Sequence, residues 1–276
     1  RGFVGTEHCS VPTKPTIKIF QTTWDDDFSK ARNECISHAT GEWILSIDAD
    51  EVLTEDTQKQ LLPFLKEQNY NDIPVVFNFK IISPQRNNNL ISTALRHVLF
   101  RNGWGTKFKR AMHEHLFNPE QELREVNTPF LSIYHTGNLL TTEELEGKSQ
   151  KYVNRLLKAI EENPDKSDNY YYYYYLGSSY VNLKQYREAV ESFLQAYNLY
   201  SLTDMPTKHP FFGNILIDLA TTMIFHMRLY KEPIIFIEEL LHISPDFPDA
   251  LFYLGYCIQY LGNYRYAISC YERVIN

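Results

Sequence analysis

The spacing of apolar and polar positions changes its period near residue 141. Before that point, short apolar runs bounded by turn residues predict strands. Residues 16–20 alternate and read as one. Residues 43–47, Trp-Ile-Leu-Ser-Ile after Gly41, form a continuous run and predict a buried strand of a parallel sheet. Residues 73–81, with Pro74 near the start, residues 95–102 and residues 130–137 add three more, with a turn over 84–89. Two helices are expected among them. Asp27 or Ser29 caps one that runs to about His38, because their oxygens accept from open backbone N–H groups. Thr54 starts the other, over 54–68, with acids in its first turn as the helix dipole favours. Pro63 is expected to kink or shorten it.

From Thr141 the apolar period is helical. Residues 143–162 predict one long helix with Tyr152, Leu156 and Ile160 on a face. A repeat then follows. Tyr173, Leu176, Gly177, Tyr180, Tyr186, Ala189, Phe193 and Ala196 stand in the same order as Leu251, Leu254, Gly255, Ile258, Tyr264, Ala267 and Tyr271. A degenerate copy passes through Ile217, Thr221, Ile224, Tyr230, Ile237 and Pro245. These are tetratricopeptide positions, where small residues let two antiparallel helices approach and large ones fill the seam. The fold class is therefore α/β plus all-α. Residues 1–140 form the first domain, and residues 141–276 a linker helix and repeats at about 170–203, 214–247 and 248–276. The tyrosine run at 170–175 is expected to bury its inner rings and line a groove with its outer ones.

Composition narrows the picture. The chain has 276 residues, 43% hydrophobic and 22% charged, as in ordinary globular proteins. Its net charge of −7 argues against a broad nucleic-acid or anionic-membrane surface. No apolar stretch is long enough to span a bilayer. Cys9, Cys35, Cys257 and Cys270 show no metal-ligand or disulfide-scaffold spacing, so a reducing cytoplasm fits best. The first residue is Arg1 rather than Met, so a fragment or an incomplete reading frame is expected.

The candidate chemistry begins at Asp48-Ala49-Asp50, directly after the 43–47 strand. Ligands of open α/β sheets bind at strand ends, and two carboxylates one residue apart can share a hard cation. A solvated acidic turn is the alternative. The residues upstream decide between them. Trp24, Asp26, Asp27, Phe28, Ser29, Ala31, Arg32 and Asn33 form W-x-D-D-F-S-x-A-R-N, followed by Gly41, Glu42, Trp43 and Asp48-Ala49-Asp50-Glu51. This resembles the family-2 glycosyltransferases of the GT-A fold. It is most similar to the bacterial branch whose catalytic domain precedes tetratricopeptide repeats, which includes peptide S-glycosyltransferases. The resemblance runs from about Pro15 to the C-terminus. It implies a partial GT-A, Rossmann-like mixed sheet. The βα units that supply the family's N-E and D-x-G/S-S-T-D segments are not found in the sequence.

The resemblance also implies roles. Mn²⁺ or Mg²⁺ is expected on Asp48, Asp50 and His135, the last from an H-x-G pattern at a strand end. Arg32, Asn33, Asp27 and Asp48 are expected to bind a nucleotide-sugar donor, a UDP-sugar first of all. A guanidinium offers a fork of donors to phosphate oxygens, although Arg32 has Asp25, Asp26 and Asp27 as alternative partners. Glu51 either supports the metal's surroundings or faces water. Arg96, Leu99, Phe100, Arg101 and Asn102 match the family's R-x-x-L-F-R-N segment, and His113-Glu114 its H-E pair. Glu114 is expected as the base that deprotonates an acceptor, with His113 positioning it or contacting the diphosphate; a polar loop is the alternative. The function expected is metal-dependent, inverting sugar transfer to a peptide, protein or other acceptor docked on the repeats. The competing expectation is a non-catalytic repeat adaptor carrying a remnant transferase domain.

Overall fold

The structure, a computed structural model, describes residues 17–70, 73–84, 91–136, 141–163, 165–203 and 210–275. The chain divides into two compact units, Arg1–Thr141 and Thr142–Asn276.

The first unit is built on a mixed sheet. In chain order its elements are α1 (Phe28–Ser37), β1 (Trp43–Leu45), β2 (Glu51–Leu53), α2 (Glu55–Glu67), β3 (Val75–Pro84), β4 (Ile91–Arg101), β5 (Lys107–Lys109), β6 (His115–Phe117) and β7 (Arg124–His135). The five-stranded sheet has the order β1-β4-β3-β7-β2, and β5 pairs with β6 as a separate hairpin. β3 is central, and Val75 to Phe79 are buried without alternation because both faces are covered. One face carries Phe77, Phe79, Leu131 and Ile133 under Leu61, Phe64 and Leu65 of α2. The other carries Val76 and Phe100 against Ile36 of α1 and Phe108 and Leu116 of the hairpin.

Three expectations are corrected here. The 43–47 run is not a strand of a parallel sheet: among the described residues β1 is an edge strand paired antiparallel to β4, and only β3 and β7 run parallel. The short link from β3 to β4 permits only an antiparallel return, and β1 takes β4's far side. Residues 17–20 form no strand. Ile17 and Ile19 are 69% and 80% exposed, so their alternation has no buried face to meet. Pro63 does not shorten α2, which runs on to Glu67. Pro63 lies on an exposed part of the helix, where water can satisfy the carbonyl it leaves open. Thr16, Gly137 and the expected turn beyond Pro84 lie outside the described residues.

The second unit is helical: α3 (Thr142–Glu162), α4 (Asn169–Asn182), α5 (Tyr186–Ser201), α6 (Pro210–Thr221), α7 (Ile234–Ile243), α8 (Pro248–Tyr260) and α9 (Tyr264–Ile275). The buried stripe of α3 runs through Val153, Leu156 and Ala159, rotated from the expected Tyr152, which is only half-buried. α4 with α5, and α8 with α9, form the two regular helical hairpins. In the degenerate copy α6 passes into a π-helical turn, Thr222–His226, before α7. Tyr170 and Tyr172 are buried, while Tyr173 lines a cleft of about 350 Å³ with Tyr180, Glu188, Glu191 and Gln195.

The repeat glycines have a measurable reason. A Cβ on Gly177 would lie 2.7 Å from the Phe193 ring, and one on Gly255 2.7 Å from the Tyr271 ring. Phe193 is fully buried, whereas Tyr271 is half-buried and has room to swing. Overpacking costs about 1–3 kcal/mol, and replacing a helical glycine by alanine returns about 1 kcal/mol. Gly177→Ala should therefore lower the urea midpoint of unfolding clearly, and Gly255→Ala should leave it nearly unchanged. Equal losses would refute the distinction.

Candidate active site

The site is assembled from α1, the turn between β1 and β2, β4, the hairpin and the end of β7. Asp27 caps α1: its Oδ1 accepts from Lys30 N–H at 2.9 Å and from Ser29 Oγ at 2.7 Å. α1 is then fixed to the hairpin at two places. Phe28 N–H donates to Ala111 O at 2.9 Å. The Asn33 carboxamide bonds both the N–H and the carbonyl of Phe108, each at 2.8 Å. The hairpin's turn bends through left-handed Arg110 and His113, at φ 76° and 51°, and buries Met112 between them. This delivers Glu114 to α1.

Arg32 joins the pieces. Its Nε donates to Glu114 Oε1 at 2.5 Å, Nη2 to Asp48 Oδ1 at 2.6 Å and Nη1 to Ser46 Oγ at 3.1 Å. The guanidinium also lies 5.3 Å from the centre of the Phe108 ring. Burial disfavours its charge, but the carboxylates of Glu114 and Asp48 outweigh this and hold its pKa above the ordinary arginine value. Its partners are thus not Asp25, Asp26 or Asp27; Asp25 pairs with Lys30 instead.

The two aspartates of the D-x-D turn point to different partners. Asp48 meets Arg32, and its Oδ2 lies 3.6 Å from Arg96 Nη1. Asp50 meets His135, with Oδ2 3.3 Å from Nε2. The pairing of β2 with β7 sets Glu51 opposite His135 and brings this about. Thr136 donates its N–H and hydroxyl to Asp50 O at 3.0 and 2.9 Å, while Ser83 Oγ lies 3.4 Å from His135 Nδ1. Glu51 does not face water: its side chain is fully buried, and Oε2 accepts from Asp48 N–H at 2.8 Å and Arg96 Nη2 at 2.6 Å. The tight turn also closes on itself, Glu51 N–H donating to Asp48 O at 3.1 Å.

The structure therefore brings Arg32, Asp48 and Glu114 into one network and Asp50 with His135 into a neighbouring pair along the turn. Asp27 and Asn33 hold the scaffold that presents Arg32. His113 occupies the left-handed position directly before Glu114. Ser46 and the fixed roles of Arg96 and Glu51 were not read from the sequence; Arg96 did stand in the R-x-x-L-F-R-N match. Among the described residues, no group of three or more His, Cys, Asp or Glu side chains is placed to hold a metal. As donors, the Asp50 carboxylate and the His135 imidazole suit a divalent ion such as Mn²⁺, whereas both oxygens of Asp48 face arginines.

Comparison with known proteins gives this geometry a context. The profile of Glycosyl transferase family 2 matches residues 6–124, and a tetratricopeptide profile matches 171–203 and 249–276. The chain thus joins a region that matches family-2 glycosyltransferases to one that matches tetratricopeptide repeats. The SPbeta prophage-derived glycosyltransferase SunS of Bacillus subtilis is 28% identical over 156 residues, 54% of this chain and 35% of SunS. A TPR repeat-containing protein of Synechococcus elongatus is 34% identical over 105 residues, 38% of this chain and 25% of that protein. The aligned part of the chain thus spans between a quarter and about a third of these relatives' length. A crystal structure of a tetratricopeptide repeat protein from Parabacteroides merdae is 20% identical, with a TM-score of 0.40, over 49% of this chain and 52% of that one. No described helix is long and apolar enough to cross a membrane.

One titration in the first unit has a clear sign. Burial first, then Arg110, Lys109 and His97, lower the His115 pKa from 6.5 to about 3, with Glu125 opposing. A histidine depressed in the folded state binds its proton more readily when unfolded, so its contribution is present above the unfolded pKa and is lost on acidification. Stability should therefore fall between pH 6.5 and about 3, and His115→Gln should make that slope shallower. Urea midpoints measured across this range check it; identical slopes would remove His115 from the account.

Proposed function

We propose that the chain is the catalytic part of a metal-dependent, inverting glycosyltransferase that uses a nucleotide-diphosphate sugar, a UDP-sugar first of all. The observation that carries this reading is the Arg32 bridge, which sets Glu114 2.5 Å and Asp48 2.6 Å from one guanidinium inside a family-2 domain. In this reading Asp50 and His135 would hold Mn²⁺ or Mg²⁺, hard cations that pair carboxylate and imidazole ligands with a substrate diphosphate. The ion's chemistry is to neutralise charge that gathers on the departing diphosphate. Asp48 and Arg32 border the donor, while Asp27 and Asn33 act on it through the placement of α1. His113 sets the backbone that presents Glu114.

Glu114 is the base. Oε1 is engaged by Arg32, and Oε2 takes the proton of the acceptor hydroxyl or thiol. The acceptor atom bonds to the anomeric carbon from the face opposite the leaving group. The carbon–oxygen bond to the diphosphate breaks with both electrons on the leaving oxygen, so the configuration inverts. The proton on Glu114 then passes to water. The repeats dock the acceptor: Glu188 and Glu191 beside Tyr173 and Tyr180 suit a peptide or protein segment bearing lysine or arginine. A reducing, cytoplasmic setting belongs to this reading.

Calorimetric titration with UDP-glucose, with and without Mn²⁺, is the direct test. Binding is expected to depend on Mn²⁺ and to be lost in Asp50→Ala and His135→Ala. Failure of every nucleotide sugar to bind, with or without the ion, would overturn the enzyme reading and favour the adaptor. Glu114→Gln is expected to lower turnover by about 10²–10⁴-fold while donor affinity stays within about threefold. Normal turnover in that variant would exclude Glu114 as the base.

A further inference from the structure

Two arginines meet at the D-x-D turn, and their surroundings differ. Arg32 is 23% exposed, and its three nitrogens are directed to Glu114, Ser46 and Asp48. Arg96, from β4, is 38% exposed. It makes one short contact, Nη2 to Glu51 Oε2 at 2.6 Å, and one long one, Nη1 to Asp48 Oδ2 at 3.6 Å. One edge of its guanidinium is anchored and the other is only loosely engaged.

The anchor is unusual. Glu51 is a fully buried carboxylate, and its Oε1 is buried without a hydrogen-bond partner among the described residues. Removing a carboxylate from water is costly unless a cation and hydrogen bonds offset it. A glutamine of the same size would fill this space without that cost. A charged group here is explained if its work is to hold a guanidinium in one orientation. The same Oε2 also takes the Asp48 N–H at 2.8 Å. Arg96 is thereby tied to the turn that carries both aspartates.

We propose that Arg96 is the guanidinium that contacts the diphosphate of the donor, and that Glu51 is the positioning residue that orients it. This rests on the reading of the first unit as a nucleotide-sugar transferase domain. A phosphate oxygen competes readily for Nη1, because the 3.6 Å contact to Asp48 is beyond hydrogen-bond length. Nη2 meanwhile stays on Glu51. A planar fork can serve a carboxylate and a phosphate at once in fixed directions, which an ammonium on a flexible stem does poorly. Arg32, already committed on three sides, then serves as the internal clamp of Glu114 and Asp48.

The test is UDP binding by calorimetry in Mn²⁺ and in EDTA, with unfolding midpoints measured on the same samples. Arg96→Gln is expected to weaken UDP binding about 10–100-fold, Arg96→Lys to recover only part of it, and Glu51→Gln to give an intermediate loss. In turnover, the donor KM should rise more than kcat falls. The double variant Arg96→Gln/Glu51→Gln removes both charges at nearly constant volume. It should regain the unfolding midpoint but not the UDP affinity. Recovery of both would make Arg96 merely the structural partner of Glu51 and overturn the proposal. So would Arg96→Gln binding UDP within twofold of the unmodified chain, an outcome that leaves the transferase reading standing. If the unmodified chain binds no nucleoside diphosphate in either condition, the reading and the proposal fall together. Should Glu51→Gln not fold, Glu51→Asp, which draws the carboxylate back from Arg96, is expected to weaken UDP binding, and unchanged affinity would remove Glu51 from the account.

Discussion

The first unit depends on one charge placed between segments that are far apart in the chain. The Arg32 guanidinium reaches Ser46 and Asp48 on one side and Glu114, 82 residues away, on another. Two arginines, Arg32 and Arg96, face three carboxylates, Asp48, Glu51 and Glu114, so no charge in the network lies far from an opposite one. Removing one member of such a network leaves its partner poorly solvated, and the loss exceeds what the pair itself contributes. The network is therefore a constraint on the fold as well as a candidate for chemistry. The Asn33–Phe108 bonds and the Asp27 cap hold α1 and the hairpin in the positions that it requires.

This arrangement explains which parts of the fold were legible in the sequence. Local chemistry was. The Asp27 and Thr54 caps, the long β3 run and the small-residue positions of the repeats each act within one element or one hairpin. Pairing direction was not. The 43–47 run has the composition of a buried strand whether its neighbour is parallel or antiparallel, and the neighbour, β4, lies more than fifty residues on. The hairpin of β5 and β6 is not legible because each strand has three residues, too few to show a period. Residues 17–20 mislead in the opposite way: they alternate, but alternation predicts a strand only when a sheet is there to receive it.

The site divides along the same line. The motif placed Asp48, Asp50, Arg32, Glu114 and His135 in one neighbourhood, but it did not say which would touch. Adjacent D-x-D carboxylates read naturally as one ligand pair. In the structure the turn sends them to different partners, because Glu51 closes the turn on Asp48 while β2 carries Asp50 beside His135. Glu51 was the least legible residue. From sequence, a glutamate after two aspartates is an ordinary solvated acid, and only the burial of its whole side chain shows otherwise.

That burial bears on how an anion could enter the site. In an acidic chain the D-x-D turn would repel a diphosphate, and screening by salt weakens such repulsion only beyond about 8–10 Å. Internal pairing changes the balance at close range. Arg32 and Arg96 cancel most of the charge on Asp48, Glu51 and Glu114, and Asp50 is left with His135 as its neighbour. A diphosphate arriving with a divalent ion would meet a nearly neutral wall with one loosely held guanidinium edge. The anion would exchange places with the Asp48 carboxylate on that edge, without exposing Glu51 or unseating Arg32. A site built this way would keep its buried charges compensated both before and after such an anion bound.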